Sequence, residues 1–326
     1  MLGNLTPKEN LLRALRRDGP EYVPVRRMDG HIPGMVRLHY QHSMLFEAGT
    51  DRWGVRWEGG LPAGFEWELR IQAYAVEHPL ADLAAVESYR FPDPQEPGML
   101  GSMFDGVNHD ENLVLAELPY LLFERAYLLM GMESFFVAAV EQPDAVARLL
   151  HRIADYQIAL IRRLIAGGAD AIRATDDYGG QISLLMSPRL WRQLIKPELS
   201  RIVAETREAG AMFFLHSCGC IMDLVPDFVE IGVDVLDPIQ AAANDHAGLK
   251  QLYCERITFM YGMNSQGALS HGTPAEVDAD VRECIRLLAP GGGYILGPDN
   301  AIAIPEANYR AYLAAGERYG RYGPAQ

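Results

Sequence analysis

The sequence predicts an α/β fold, a (β/α)8 TIM barrel, on three observations. From about residue 110 onward, short apolar runs alternate with longer segments in which apolar residues recur every three or four positions. Most of the short runs end in polar residues, as expected where the carboxyl ends of parallel strands converge on a barrel mouth. No G-x-G-x-x-G turn follows the first strand, which disfavours an open dinucleotide-binding sheet.

Six short runs are the predicted strands of the barrel. An earlier run, EYVPVR (21–26), follows the helical segment 6–19 and is a candidate first strand. The six runs are NLVLAELPY (112–120), DAIRATDDYG (170–179), AMFFLHSCG (211–219), VDVLDPIQ (233–240), ITFMYGMNS (257–265) and GYILGPDN (293–300).

Amphipathic patterns over 143–168, 187–210, 221–232 and 274–292 predict the intervening helices. Residues 26–110 break this rhythm and are rich in aromatic residues, Gly and Pro. We therefore expect a single domain over 1–326, in which 26–110 is an irregular insertion over the barrel mouth or at a subunit contact. The tryptophans of this insertion, Trp53, Trp57 and Trp67, suggest a homodimer or partner contact.

Composition narrows the classes of function. The chain has 326 residues, a net charge of −14 and no Lys/Arg run, so a nucleic acid is not an expected partner. No apolar run reaches the roughly 18 residues that a membrane span needs, and the N-terminus lacks a signal-peptide core. We therefore expect a cytoplasmic protein with no membrane partner, whose 4 cysteines are reduced thiols.

His216 and Cys218 stand two residues apart at the end of a predicted strand. Side chains at i and i+2 share a face, so an imidazole and a thiolate can meet one zinc ion here. The alternative is a buried strand end with a hydrogen-bonded histidine and a packed thiol. Cys220 would reach the same ion only if the chain bends at Gly219.

Other strand ends supply candidate catalytic and substrate-binding residues. Of Asp176 and Asp177, one faces the mouth as a proton carrier while the other caps or pairs with a helix end. Tyr178 is a candidate donor to oxyanion charge. The candidate substrate-binding residues are Gln240 and Asn264 as orienting groups, Arg125 as a carboxylate clamp, and Asn300.

The segment TDDYGGQISLLMSPRLWRQLIKPELSRIVAETREAGAMFFLHSCGCIMDLVPDFVEIGVDVLDPIQ (175–240) resembles the core of the uroporphyrinogen decarboxylase superfamily, in its branch of cobalamin-linked methyltransferases. TPKENLLRALRRDGPEYVPV and GGGYILGPDNAIAIPEANYRAYLAA extend the resemblance over nearly the whole chain. The resemblance implies a barrel with its site in the C-terminal mouth. True decarboxylases share an R-Q-A-G-R-Y stretch, whereas residues 25–40 read VRRMDGHIPGMVRLHY.

In the methyltransferase branch, the resemblance implies that His216 and Cys218 are zinc ligands and that a cysteine after the last strand is the third. Here that loop reads LGPDNAI and offers Asp299 with Asn300, so we predict a His216–Cys218–Asp299 site, with Glu117 and Cys220 as alternatives for the third ligand.

These features predict a zinc-dependent methyltransferase that moves a methyl group between a small substrate and a corrinoid (cobalamin) protein. The substrate class is a methoxylated aromatic or another methyl ether or amine, as in O-demethylation. The alternatives are a decarboxylase or other lyase, with Arg26, Arg27 and Arg37 binding acid groups, and a ligand-binding relative without catalysis.

Overall fold

A computed structural model of the chain describes residues 4–40, 49–59, 73–300 and 303–323. Within them, seven parallel strands form one curled sheet in the order β1-β5-β6-β7-β8-β9-β10, which confirms the predicted barrel-like α/β fold. A smaller antiparallel sheet has the order β2-β3-β4. The strands are β1 (Met35–His39), β2 (Gly49–Thr50), β3 (Arg56–Gly59), β4 (Ala73–Glu77), β5 (Leu113–Leu118), β6 (Ala171–Thr175), β7 (Met212–His216), β8 (Val235–Asp237), β9 (Thr258–Met260) and β10 (Tyr294–Ile295).

Of the four predicted helical segments, 143–168 and 274–292 correspond to the helices Pro143–Ala166 and Pro274–Leu288, and 221–232 contains the shorter helix Val225–Ile231. The predicted helix over 187–210 is two helices, because Pro197 lacks the N–H that a continuous helix would need. The helices are α1 (Pro7–Arg16), α2 (Phe123–Met130), α3 (Met132–Glu141), α4 (Pro143–Ala166), α5 (Pro188–Leu194), α6 (Lys196–Glu208), α7 (Val225–Ile231), α8 (His246–Tyr253), α9 (Ala268–His271), α10 (Pro274–Leu288) and α11 (Glu306–Tyr319).

The candidate first strand, 21–26, lies beside the last strand but pairs with it only locally. Val25 forms a parallel bridge with Leu296, supported by bonds from Leu296 N to Pro24 O and from Arg26 N to Leu296 O, both 2.9 Å. Since Pro24 has no N–H, the ladder cannot extend through it. The segment therefore lines the barrel without forming a regular strand.

Strand β1 falls inside the predicted irregular insertion, so that prediction is wrong for Met35–His39. Its register with β5 runs from Met35 beside Leu113 to His39 beside Glu117. Arg37 and His39 are polar, and they interrupt the continuous apolar run expected of a buried parallel strand. Both side chains bind Glu117 inside the mouth, which is why a charged strand is tolerated there.

The rest of the insertion packs against the barrel through its tryptophans. Trp53 makes an edge-to-face contact with Tyr156, with ring centres 4.6 Å apart. Trp57 stacks on Tyr120, with ring centres 6.3 Å apart. Both tryptophans are buried, at 2% and 5% exposed, so they are not available for the subunit contact predicted for them. Trp67 lies outside the described residues.

An apolar cluster fills the lower part of the barrel interior. Alternate residues of the strands face inward, as the two-residue period of a strand requires. Leu11 and Leu15 of α1 complete this cluster from below and close the floor. The inward-facing strand residues include Met35, Leu113, Leu115, Ala171, Phe214, Val235, Met260 and Ile295.

None of the helices within the described ranges is long and apolar enough to cross a membrane.

We expect Leu11→Ala to lower the free energy of unfolding by about 2–5 kcal/mol, because the fully buried side chain would leave a cavity in the barrel floor. The matched control is Leu252→Ala, since Leu252 is 59% exposed on α8. Urea unfolding of both variants measures the difference. Equal losses in the two variants would contradict the role assigned to α1.

Candidate metal centre at the barrel mouth

Above the apolar floor, the inward-facing positions of the strands become charged. Glu117 of β5 lies beside Arg173 of β6 in the sheet register, and His216 of β7 lies beside Asp237 of β8. These side chains point into the mouth because they continue the same alternation that places Leu115 and Phe214 in the floor. The mouth is therefore lined by an ionic layer.

Arg173 is the centre of this layer. Its Nη1 lies 3.3 Å from Glu117 Oε1, its Nε donates to Asp237 Oδ2, and Arg37 Nε donates to Glu117 at 2.8 Å. Burial alone would lower the pKa of Arg173, but the charges of Asp237 and Glu117 raise it above its usual range. Arg173 is thus a permanent cation inside the barrel.

The pKa values of the two carboxylates that contact Arg173, those of Glu117 and Asp237, are shifted downwards. Burial raises the pKa of Glu117, but a hydrogen bond from His39 and the charges of Arg173 and Arg37 outweigh it and leave the pKa well below the usual range. Burial likewise raises the pKa of Asp237, and Arg173 together with His216 reverses the shift. Both groups remain ionised at neutral pH.

This layer orients His216. Its Nδ1 lies 2.6 Å from Arg173 Nη2 and 3.4 Å from Asp237 Oδ2. The ring either accepts a hydrogen bond from Arg173 at Nδ1 or donates one from Nδ1 to Asp237. The second tautomer leaves the lone pair of Nε2 free, and Nε2 faces Cys218 and Asp177.

Cys218 is held in place by its neighbours along the backbone. Its N–H donates to Asp177 Oδ1 at 2.7 Å, and the next N–H, of Gly219, donates to Gln240 Oε1 at 2.9 Å. A Cβ added at Gly179 would lie 2.6 Å from Cys218 O, so only glycine permits the loops after β6 and β7 to approach this closely. The contact brings Asp177 and Cys218 to the same place.

The thiol of Cys218 is electrostatically unfavourable as a free anion. Burial raises its pKa, and the negative charges of Asp177 and Asp237 raise it further, against the opposing effect of Arg173. The thiol therefore keeps its proton at neutral pH unless a cation binds beside it.

Asp177, His216 and Cys218 fit the geometry of a metal site. One ligand atom from each lies within 4.8 Å of the others; His216 Nε2 is 3.4 Å from Cys218 Sγ and 3.7 Å from Asp177 Oδ1. In a tetrahedral zinc site with bonds of about 2.0–2.3 Å, ligand atoms stand roughly 3.5 Å apart. A site with three protein ligands also retains one open position, as catalytic zinc sites do.

Asp299, the predicted third ligand, does not belong to this group. Its carboxylate accepts hydrogen bonds from Ala241 N at 3.0 Å and Ser265 N at 2.9 Å, so it joins the loops after β8 and β9 instead. The alternatives also lie outside the group: Glu117 is engaged by arginines, and the backbone N–H of Cys220 donates to Gly180 O. Asp177, and not Asp299, is the carboxylate that lies beside His216 and Cys218.

The two aspartates divide their roles as the alternation predicts, one inward and one capping. Asp176 is fully buried and accepts from the N–H groups of Leu122, Phe123 and Glu124 at the start of α2. Burial raises its pKa to about 6 even though these hydrogen bonds lower it. The catalytic role predicted for Asp176 is therefore not supported, because its carboxylate is engaged by the helix end.

Tyr178 is also unavailable as a donor to substrate. Its hydroxyl donates to Asp176 Oδ2 at 2.6 Å, and its fully buried ring packs against Trp191 and Phe228. The prediction that it binds oxyanion charge in the mouth is wrong, because its hydroxyl is engaged by Asp176 and its ring is buried against α5 and α7.

The four predicted substrate-binding residues are not brought together. Arg125 is fully buried and lies over the ring of Trp53 at 4.4 Å, beneath the insertion, so it cannot clamp a substrate carboxylate. The side-chain oxygen of Gln240 accepts a hydrogen bond from Gly219 N–H, beside the Asp177–His216–Cys218 group. Asn264 accepts from Gln266 N in a tight turn, and the N–H of Asn300 donates to the Ser265 hydroxyl.

Sequence reasoning missed Arg173 and Glu124 as site residues. Arg173 is the one charged residue in strand β6, AIRAT, and this was the available signal. An arginine is buried in such a strand only where carboxylates pair with it. Glu124 accepts from Thr175 Oγ1 at 2.8 Å. Burial and the nearby charges of Asp177 and Asp176 raise its pKa well above the usual value, which favours the protonated carboxylic acid.

A surface cavity of about 700 Å³ lies away from the mouth, beside α3 and α4. Its lining includes Val137, Ala138, Glu133 and Arg148, and none of the predicted site residues. It offers no metal-ligating imidazole or thiol, so the mouth is the better candidate for chemistry.

Comparisons with known proteins agree with the fold. The chain is 26% identical over 251 residues to a uroporphyrinogen decarboxylase of Xanthomonas axonopodis pv. citri, which covers 69% of this chain and 67% of that protein. It is 23% identical to the methylcobamide:CoM methyltransferase MtbA of Methanosarcina mazei, over 96% of this chain and 98% of MtbA.

Among solved structures, a methyltransferase from Methanosarcina mazei superposes with a TM-score of 0.73 at 19% identity, over 97% of this chain and 99% of the other. The family model described as uroporphyrinogen decarboxylase (URO-D) matches residues 72–319. That match spans most of the sequence, and the chain therefore belongs to the uroporphyrinogen decarboxylase family.

Proposed function

We propose that the chain is a zinc-dependent methyltransferase that moves a methyl group between a small methylated substrate and a corrinoid protein. The observation that carries the proposal is the meeting of Asp177, His216 and Cys218 at the barrel mouth. Similarity to a methylcobamide:CoM methyltransferase over 96% of the chain supports the reaction class.

The three side chains would hold the ion in different ways. His216 would ligate through Nε2 with its Nδ1 protonated and donating to Asp237, 3.4 Å away, which requires the Arg173 guanidinium, now 2.6 Å from Nδ1, to move aside. Cys218 would ligate as a thiolate after losing its proton. A bound Zn²⁺ would act as a Lewis acid on an oxygen at its open position.

The third ligand bears on the substrate class. A carboxylate from Asp177 is a harder donor than a thiolate, and harder ligand sets favour oxygen over sulfur at the open position. The loop where the resemblance places a third cysteine contains none between Gly297 and Asn300. This supports a methyl ether, such as a methoxylated aromatic, over a thiol such as coenzyme M.

A second candidate function is decarboxylation of a carboxylated substrate. The decarboxylase relatives favour this function. Arg26 also favours it, because its guanidinium carbon lies 5.2 Å from the centre of the Tyr261 ring and it forms no ion pair with any described residue. Arg37, in contrast, is neutralised by Glu117. A polycarboxylate would therefore meet few unpaired cations in this mouth.

We expect protein purified without chelators or a histidine tag to contain about one zinc per chain, as a single set of three ligands predicts. Each of His216→Ala, Cys218→Ser and Asp177→Asn should lose it, as measured by elemental analysis. Cys220→Ser is the matched control, and Asp299→Asn separates the two candidates for the third ligand; both should retain the metal. A folded wild type without zinc would move the proposal to the decarboxylase or to a ligand-binding protein.

Zinc affinity should rise with pH, by about tenfold per pH unit between about pH 6 and pH 8, because binding must displace the proton of one thiol. The sign follows from the raised pKa of Cys218, which keeps the free thiol protonated across this range. Competition with a chromophoric chelator measures the slope. In Cys218→Ser any residual binding should lose this dependence, and an unchanged slope would show that Cys218 is not a ligand.

The reaction itself is testable with free cobalamin as methyl acceptor. Zinc-loaded protein, a methoxylated aromatic and cob(I)alamin should give methylcobalamin and the corresponding phenol: the methyl carbon–oxygen bond breaks, the cobalt–carbon bond forms, and the oxygen gains a proton. The absorbance change of the corrinoid follows the rate. Cys218→Ser should lower it by at least about 100-fold, the scale of losing a metal ligand or its support, whereas Cys220→Ser should not.

A further inference from the structure

The surface cavity of about 700 Å³ beside α3 and α4 has the size of a small-molecule binding site. We call it the outer cavity. One wall is formed by residues of the insertion segment 81–87, and the other is formed by α3 and the start of α4. Because its lining shares no residue with the Asp177–His216–Cys218 group, a ligand bound here would be separate from the chemistry of the mouth.

The two walls of the outer cavity are held together by hydrogen bonds on both sides of segment 81–87. Just before the segment, Leu80 N donates to Leu129 O of α2 at 2.8 Å. Just after it, Arg152 Nη2 of α4 donates to Tyr89 O at 2.7 Å. The cavity is therefore formed before a ligand binds, and a ligand would not have to bear the entropic cost of ordering its walls.

The floor and rim of the outer cavity are apolar. Val86, Met130 and Ala138 line it and are buried, because they also belong to the hydrophobic core of the barrel. Val137 of α3 lines it as well and is 51% exposed, so a large apolar side chain faces solvent at its edge. A ligand with an apolar body would remove this surface from water.

Three polar side chains that line the outer cavity have no partner of their own. Glu133 and Ser134 lie in the first turn of α3, and Gln142 lies just before α4. Within the described ranges of the chain, none of these three side chains forms a hydrogen bond or an ion pair. Their carboxylate, hydroxyl and amide groups are thus available to a ligand that donates hydrogen bonds.

The charge of the outer cavity is negative. Its described lining contains the carboxylates of Asp82, Glu87 and Glu133 and the guanidinium of Arg148. Arg148 Nε already pairs with Glu87 Oε1 at 2.9 Å, which leaves the charges of Asp82 and Glu133 without a counterion among the described residues. A cationic ligand would complement this charge, whereas an anion could reach Arg148 only by displacing Glu87.

We propose that the outer cavity binds a small organic cation, an amine or guanidine carried on an apolar body. The cationic group would donate hydrogen bonds to the Glu133 carboxylate and the Gln142 side-chain oxygen. The apolar body would cover Val86, Met130 and Val137. This site does not depend on zinc or on methyl transfer, so it adds a second ligand to the one proposed for the mouth.

The test is calorimetric titration of the full chain with three probes that share one apolar body: phenylbutylamine, phenylbutanol and phenylbutyrate. At neutral pH the amine should bind at one site per chain, the alcohol should bind more weakly, and the carboxylate should bind at least about tenfold more weakly than the amine, because like charges meet in the cavity. This order separates recognition of a cation from simple burial of a phenyl group.

Paired variants on α3 locate the binding site. Glu133→Gln should weaken phenylbutylamine at least about fivefold and leave phenylbutanol unchanged, because only the amine uses the carboxylate. Glu141→Gln is the matched control, since Glu141 is an exposed carboxylate of the same helix that does not line the cavity. Val137→Asn should weaken both the amine and the alcohol, whereas Val140→Asn, at a 73% exposed position outside the cavity, should weaken neither.

Three results would overturn the proposal: no saturable binding of phenylbutylamine, equal binding of the amine and the carboxylate, or equal amine binding by the wild type and Glu133→Gln. Self-association of the wild type that Val137→Asn abolishes, without amine binding, would also overturn it and assign the cavity to a second copy of the chain. Failure of the zinc proposal is distinguishable, because Cys218→Ser should lose zinc yet bind phenylbutylamine as the wild type does.

Discussion

The burial of Arg173 inside the barrel is the constraint on which the candidate site depends. A guanidinium removed from water is tolerated only when carboxylates meet it, and Glu117 and Asp237 do so from the two sides. Removing either partner of such a buried pair costs about 3–5 kcal/mol, because the other charge is left uncompensated. The register of strands β5 to β8 therefore depends on the buried guanidinium of Arg173. The position of His216 depends on the same guanidinium.

The charge around Cys218 explains why this corner of the mouth suits a cation. Asp177 and Asp237 surround a thiol and an imidazole with negative charge, whereas Arg173 lies on the far side of the imidazole ring. A divalent ion would relieve the repulsion between the aspartates and allow the thiolate to form. The loop contact at Gly179 and Gly219 makes this geometry possible, since any side chain there would separate the two loops.

Most of the barrel could be predicted from the sequence, because its buried strands are apolar and its helices are amphipathic. Strand β1 could not, because Arg37 and His39 gain their partner Glu117 only in the folded sheet. The pair His216 and Cys218 was predictable from i, i+2 spacing. Their third companion was not, because the choice between Asp177 and Asp299 depends on which loop bends toward β7, and Asp299 is held by amides that no local pattern reveals.

The balance of charge in the mouth also separates the two chemistries found in this family's relatives. Arg37 and Arg173 are both neutralised by carboxylates, so a polycarboxylate could pair with either of them only by displacing an existing ion pair. A neutral methyl ether and a neutral corrinoid need no such displacement. They require an ion in the mouth and an orienting layer beneath it. Asp177 with His216 and Cys218 offers ligands for the ion, and Arg173 with Asp237 offers the orienting layer.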